Sequence, residues 1–278
     1  MQTDAALAYA SKHEPHALLV QTGSDLRLEF YAAGYSASKP HPLYSGAKSF
    51  WGIAALEAQR EGLISLDEPV TSRLPEFAGD ARRSITPRML LQMTAGYGFG
   101  GLGNAVPTYD RVLDIQLKNP PAATFTYGGI PLQVFGAYFS RALASLGLTP
   151  HTFLRERVLE KAGVEIATWR ELSDGTHPLP TGAQLTARAW LNYGRYVLGR
   201  REDFAEAFRA AAQNERYGLG WWLAPAGTPA DCFYASGAAG QGLYVIPSAD
   251  TVVVRFGKST SYKHDVFLKR LLAAAATN

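Results

Sequence analysis

With a single cysteine, Cys232, the 278-residue chain cannot close a disulfide within itself or build a cysteine-rich zinc site. It lacks an apolar run long enough to cross a bilayer, so no membrane-spanning helix is expected. Runs of like charge are missing too. The 27 basic and 24 acidic residues leave a net charge of +3 without a basic patch, and a nucleic-acid partner is not expected. There is no Gly-x-Ser-x-Gly, which excludes the strand–turn–helix elbow of the α/β-hydrolases. The opening MQTDAALAYASKHEPH has no basic segment leading into an apolar one, so no signal peptide is expected in it. A cytoplasmic location follows if the chain is full length, and a periplasmic or secreted one if a leader has been trimmed. Histidines at metal-ligand spacing are also wanting. His13 and His16 are separated by Pro15, which spoils a helical pair, so neither a metal nor a cofactor is expected. Gly98-Phe99-Gly100-Gly101-Leu102-Gly103 fits Gly-x-Gly-x-x-Gly, but it follows a helix and opens none, against a dinucleotide site. A glycine-rich connecting loop is the better account.

What is present is a well-packed composition, 47% hydrophobic and 18% charged, enough for one large domain or two interlocked ones. HALLVQTG and LRLEFYAAG flank Ser24-Asp25 as a hairpin. A helix begins near Ser45, with Phe50, Trp51, Ile53, Ala54, Leu56 and Ala58 as its apolar surface and Gly62 as a C-cap. TPRMLLQMTA reads as a short helix, and further helices are expected at about 131–147, 150–162, 183–199 and 263–276. YGLGWWLA, DCFYASG, QGLYVIP and TVVVRFG form an antiparallel meander. The order strands, helices, strands, helix predicts an α+β fold. Its central antiparallel sheet is built from both chain ends, with flanking helices and an inserted, mainly helical region.

Ser45-Gly46-Ala47-Lys48 places a serine three residues before a lysine where that long helix begins. Ser-x-x-Lys alone is weak, with about one chance occurrence expected in a chain this long. Ser36-Ala37-Ser38-Lys39 is such an occurrence, and Pro40 pushes its lysine out of the helical region. Ser45 and Lys48, by contrast, share a helical face. Apolar surroundings from Phe50 and Trp51 would depress the lysine pKa and ready it to activate the serine. A plain N-cap serine beside a solvated lysine is the competing account.

Beyond this pair, the chain resembles the penicillin-recognising serine hydrolases: class C β-lactamases, D-alanyl-D-alanine peptidases, related esterases and 6-aminohexanoate-dimer hydrolases. The likeness runs through YSGAKSFWGIAALEAQREGLISLDEPVTSRLPEF, TPRMLLQMTAGYGFG, FTYGGIPLQVFGAYF and ASGAAGQGLYVIPSADTVVVRFG. The resemblance implies the β-lactamase/transpeptidase-like fold, with a sheet-containing part at 1–62 and 176–278, a helical insertion at 63–175 and the active site between them. It implies Ser45 as nucleophile, Lys48 and Tyr127 as proton carriers, and an oxyanion hole from the backbone N–H groups of Ser45 and Ala238. Ser236, Gly237, Gly129, Tyr97 and Trp222 are the expected substrate contacts.

Two of the family's three motifs are altered. Tyr-x-Asn is Tyr127-Gly128-Gly129 here, and the Lys-Thr-Gly or His-Ser-Gly position is Ala235-Ser236-Gly237. Loss of an amide and a cation suits neutral acyl groups, so a small-molecule ester or amide is the expected substrate. Arg255 and Lys258 are candidates for a replacement cation, and Tyr44, Phe99 and Trp221 for further pocket walls. A β-lactamase or D-alanyl-D-alanine carboxypeptidase is the alternative. A binding or sensor protein without turnover is a further one. The sequence specifies no oligomeric state.

Overall fold

The computed structural model describes residues 2–225 and 227–273. Its central sheet has six strands: β1 (Pro15–Thr22), β2 (Asp25–Tyr31), β6 (Trp222–Leu223), β7 (Phe233–Gly237), β8 (Gln241–Ile246) and β9 (Thr251–Gly257). They lie in the order β2-β1-β9-β8-β7-β6, all antiparallel, so the chain's two ends meet where β1 pairs with β9. A small second sheet joins β3 (His41–Pro42), β5 (Ala183–Leu185) and β4 (Thr168–Trp169).

Both faces of the central sheet are covered at β1, β8 and β9, which is why these strands are apolar without alternation. Ala17, Leu19, Val252, Val254 and Phe256 enter the larger core, whereas Leu18, Val20 and Val253 enter a smaller one. The smaller core lies under α1 (Thr3–Ser11) and α8 (His264–Leu272). The sequence reading had no helix before β1. Helix α1 is short and only weakly amphipathic, and it forms because Ala6, Tyr9 and Ala10 pack against α8. The expected closing helix runs through Leu272, and its last residues, 274–276, fall outside the described part.

The larger core is filled by α2 (Ser49–Arg60), α3 (Pro87–Leu91), α4 (Tyr109–Val112), α5 (Ile130–Leu143), α6 (Pro150–Leu154) and α7 (Ala187–Gly199). Thr86, Thr108, Thr149 and Thr186 cap α3, α4, α6 and α7 by accepting backbone N–H bonds. Residues 183–185, expected inside the last of these helices, are strand β5, and the helix begins after its cap at Thr186. Helix α2 is buried along most of its circumference. Even Glu57 is enclosed there, paired with Arg200 at 3.0 Å and with Arg60. A helix held on all sides is a rigid mount for the residues at its start.

Candidate active site

Tyr44–Lys48 is a 3₁₀ turn running directly into α2. In a 3₁₀ turn residues three apart eclipse one another, so the side chains of Ser45 and Lys48 stack more closely than on an α-helix. Lys48 Nζ donates to Ser45 Oγ at 2.8 Å and to the Pro180 carbonyl at 3.3 Å. The lysine is 1% exposed and Ser45 only partly buried, so the pair has one open end. Burial pushes the Lys48 ammonium down to about 7, close to neutral pH. The expected depression is present, and no neighbouring charge contributes to it.

Tyr127 closes the cluster. Lys48 Nζ lies 4.8 Å from its ring centroid. Burial raises the phenol to about 12, while a hydrogen bond with Ser45 acts in the opposite direction. The Pro180 acceptor is itself held in place. Trp51 Nε1 donates to the Leu179 carbonyl at 2.6 Å, and Gln133 Oε1 accepts the Leu179 N–H at 2.8 Å. Neither Leu179 nor Pro180 carries a motif, so sequence inspection had no means of finding this carbonyl.

Strand β7 reaches the same place from the sheet. A Cβ added to Gly237 would stand 2.1 Å from the Leu43 carbonyl oxygen, so only glycine lets the strand approach the turn that carries Ser45. This contact seats β7 against the turn that carries Ser45. Ser45 and Ala238 each adjoin a residue in the left-handed region, Tyr44 at φ 48° and Ala239 at φ 61°, conformations of the kind that cluster at functional sites. Strand β6 pairs only with Phe233 and Tyr234, so beyond Tyr234 no described strand covers the outer edge of β7.

The two altered motifs have local explanations. Gly129 donates its N–H to the Gly100 carbonyl at 2.8 Å, and a Cβ there would fall 1.8 Å from the Gly101 carbonyl oxygen. The glycine-rich loop therefore packs directly on Tyr127-Gly128-Gly129 and leaves no room for an asparagine. Ala235 is buried in the larger core. Arg255 is no replacement cation, contrary to what the sequence permitted. Fully buried, it gives NH1 to the Ala239 and Gly240 carbonyls at 3.2 and 2.7 Å and NH2 to the His13 carbonyl. It braces the turn after β7 from behind. Lys258 is exposed.

The aromatic candidates separate cleanly. Trp222 is half-buried with its ring 5.5 Å from Tyr127, and stands next to the cluster. Tyr97 and Trp221 are core residues, 1% and 0% exposed, and Tyr97 lies beside Arg82 rather than Lys48. Tyr44 and Phe99 project to solvent. His264 was overlooked. Its Nε2 is 3.0 Å from Ser236 Oγ, although 28 residues separate the two in sequence and no local pattern links them.

Among proteins of known identity, the 6-aminohexanoate-dimer hydrolase of Paenarthrobacter ureafaciens is 25% identical over 281 residues, 86% of this chain and 71% of that protein. The solved hydrolase EstCE1, described as having promiscuous acyltransferase activity, superposes with a TM-score of 0.77 at 14% identity, covering 96% of both chains. A class C β-lactamase from Rhodobacter sphaeroides gives 0.72 at 16% identity over 97% of each chain. At such identities these structures establish the fold alone. The sequence model of the β-lactamase family matches residues 17–277, and on that match the chain belongs to this hydrolase family.

Proposed function

We propose that the protein is a serine hydrolase that cleaves carboxylic esters or small amides through an acyl-enzyme on Ser45. The observation that carries this reading is the 2.8 Å contact between Ser45 and a lysine whose burial brings it to about 7. Near neutral pH much of Lys48 is then uncharged and can accept the Ser45 proton as Oγ attacks the substrate carbonyl. The Ser45 and Ala238 N–H groups would stabilise the resulting oxyanion. Collapse breaks the bond to the alcohol or amine, which leaves with the proton carried by Lys48 and passed through Tyr127. Water then attacks the acyl group by the same route in reverse and frees Ser45. Tyr127, at about 12, is a proton carrier and not the resting base.

On this reading the substrate lies between the sheet-bearing part, 1–62 and 176–278, and the helical insertion at 63–175. Trp222, half-buried beside Tyr127, would border it and Gly237 would let β7 approach it, whereas burial argues against contact with Tyr97 and Gly129. Gly129 and Ala235 stand where the family places an amide and a cation, which favours neutral acyl groups over β-lactams. The 6-aminohexanoate-dimer hydrolase relative supports small linear amides as the second substrate class. The test is parallel turnover of p-nitrophenyl acetate, p-nitrophenyl butyrate and a chromogenic cephalosporin, with Ser45→Ala as control. Ester turnover abolished in the mutant is expected. A cephalosporin cleaved faster than either ester would overturn the ester preference.

A further inference from the structure

Ser236 and Tyr234 occupy the same face of β7, because alternate residues of a strand point the same way. Ring contacts connect that face to Tyr127 through Trp222, whose ring is 5.5 Å from that of Tyr127. The Trp222 ring is 6.4 Å from Tyr234, and Tyr234 is 5.3 Å from His264. His264, the first residue of α8, has both ring nitrogens engaged: Nε2 with Ser236 Oγ at 3.0 Å and Nδ1 with the Tyr244 hydroxyl at 2.7 Å. Tyr244 OH meets Tyr262 OH at 3.0 Å. Tyr244 and Tyr262 are buried whereas Ser236 and His264 are only half-buried, so this relay runs from dry core to an open edge. In either tautomer the imidazole orientation is fixed and Ser236 keeps hydrogen-bonding capacity for a substrate.

We infer that His264 is a positioning residue that fixes the Ser236 hydroxyl, so that this side of the site offers a neutral hydrogen-bonding group to an uncharged carbonyl or amide of the substrate instead of a cation to a carboxylate. The inference rests on the ester-or-amide hydrolase reading and specifies its substrate class. Burial, with Arg255 adding to it and Asp265 opposing, holds the imidazole at about 4, so it carries no charge at neutral pH. Arg255 lies over the Tyr262 ring, 4.0 Å from its centroid, and its two terminal nitrogens donate to backbone carbonyls. A carboxylate at Ser236 would lose hydration without gaining a counter-charge. A carbonyl needs one hydrogen bond, a difference of about three- to tenfold in binding.

Three esters separate these possibilities: p-nitrophenyl butyrate, p-nitrophenyl methyl glutarate with its additional neutral carbonyl, and the corresponding free acid. The wild type should prefer the methyl ester to the acid about tenfold or more in kcat/KM. His264→Leu should raise KM for the methyl glutarate about three- to tenfold, with kcat nearly unchanged and p-nitrophenyl butyrate unaffected. Ser236→Ala should raise KM for the methyl glutarate at least as much, His264→Leu should add nothing to it in the double variant, and His264→Gln should restore most of the loss seen in His264→Leu. Equal losses on butyrate and methyl glutarate in both single variants would reduce His264 to a structural role and overturn the inference. So would preference for the free acid, which would mean that an exposed lysine such as Lys258 or Lys263 supplies the charge. If Ser45→Ala cleaved all three esters as fast as wild type, the hydrolase reading itself would fail, a result distinct from either of these.

Discussion

Lys48 and Arg255 are buried to nearly the same degree, 1% and 0% exposed. Lys48 has one hydroxyl and one carbonyl within reach and no charged partner, so burial depresses its pKa to about 7. Arg255 has three carbonyls and the face of Tyr262, and a guanidinium stays charged in proteins. Burial alone therefore does not bring a basic group near neutral pH. The difference lies in how readily each group gives up its proton: burial lowers the Arg255 pKa as well, but from so high a start that the guanidinium keeps its charge.

The largest break in this comparison is to exchange the two chemistries. Lys48→Arg should lower ester kcat/KM about a thousandfold or more at every pH from 6 to 10, because a guanidinium cannot act as base. Stopped-flow or steady-state rates on p-nitrophenyl butyrate check it. Arg255→Met attacks the other half. Stranding the carbonyls of His13, Ala239 and Gly240 should cost about 3 kcal/mol, read as a lower denaturant midpoint. Comparable loss is expected from Gly129→Asn, which restores the family's motif residue but overlaps the Gly101 carbonyl by packing, at about 3 kcal/mol or failure to fold. Gain of cephalosporin turnover in that variant would contradict the account of why asparagine is missing.

A pH–rate profile sharpens the lysine half. The reactive form is deprotonated, so kcat/KM should fall about tenfold per unit below pH 7 and level off above it. With Tyr127 at about 12, no second break is expected before pH 10. A flat profile down to pH 5 would remove Lys48 from the role of base. The smallest effect is Trp222→Leu, which should raise KM for butyrate about twofold by removing a wall beside Tyr127 without touching the proton path.

The sheet strands were legible because each is a short apolar run between turn residues, and helix α2 because its apolar surface is continuous. Helix α1 was not, since its stability comes from α8 at the other end of the chain. At the site, Ser45 and Lys48 were visible as neighbours on one face, and Tyr127 through its motif. The Pro180 carbonyl and His264 were hidden, because a backbone acceptor has no side-chain signature and a hydrogen bond spanning 28 residues leaves no period. Tyr97, expected among the substrate contacts but buried in the core, is the converse case. An aromatic beside a glycine loop looks the same in sequence whether it lines a cleft or fills a core.

By itself the sequence determined the α+β architecture, the identity of the serine and lysine and their spacing of three, since these depend on local periodicity and on residue chemistry. Only the tertiary structure decided that Lys48 is buried enough for its pKa to fall to about 7, that Gly101 leaves no space for a side chain at Gly129, and that Arg255 bonds to the backbone carbonyls of His13, Ala239 and Gly240. Solvation, close approach of distant backbones and the direction of a long side chain all depend on contacts between segments far apart in the chain. No stretch of sequence contains such contacts.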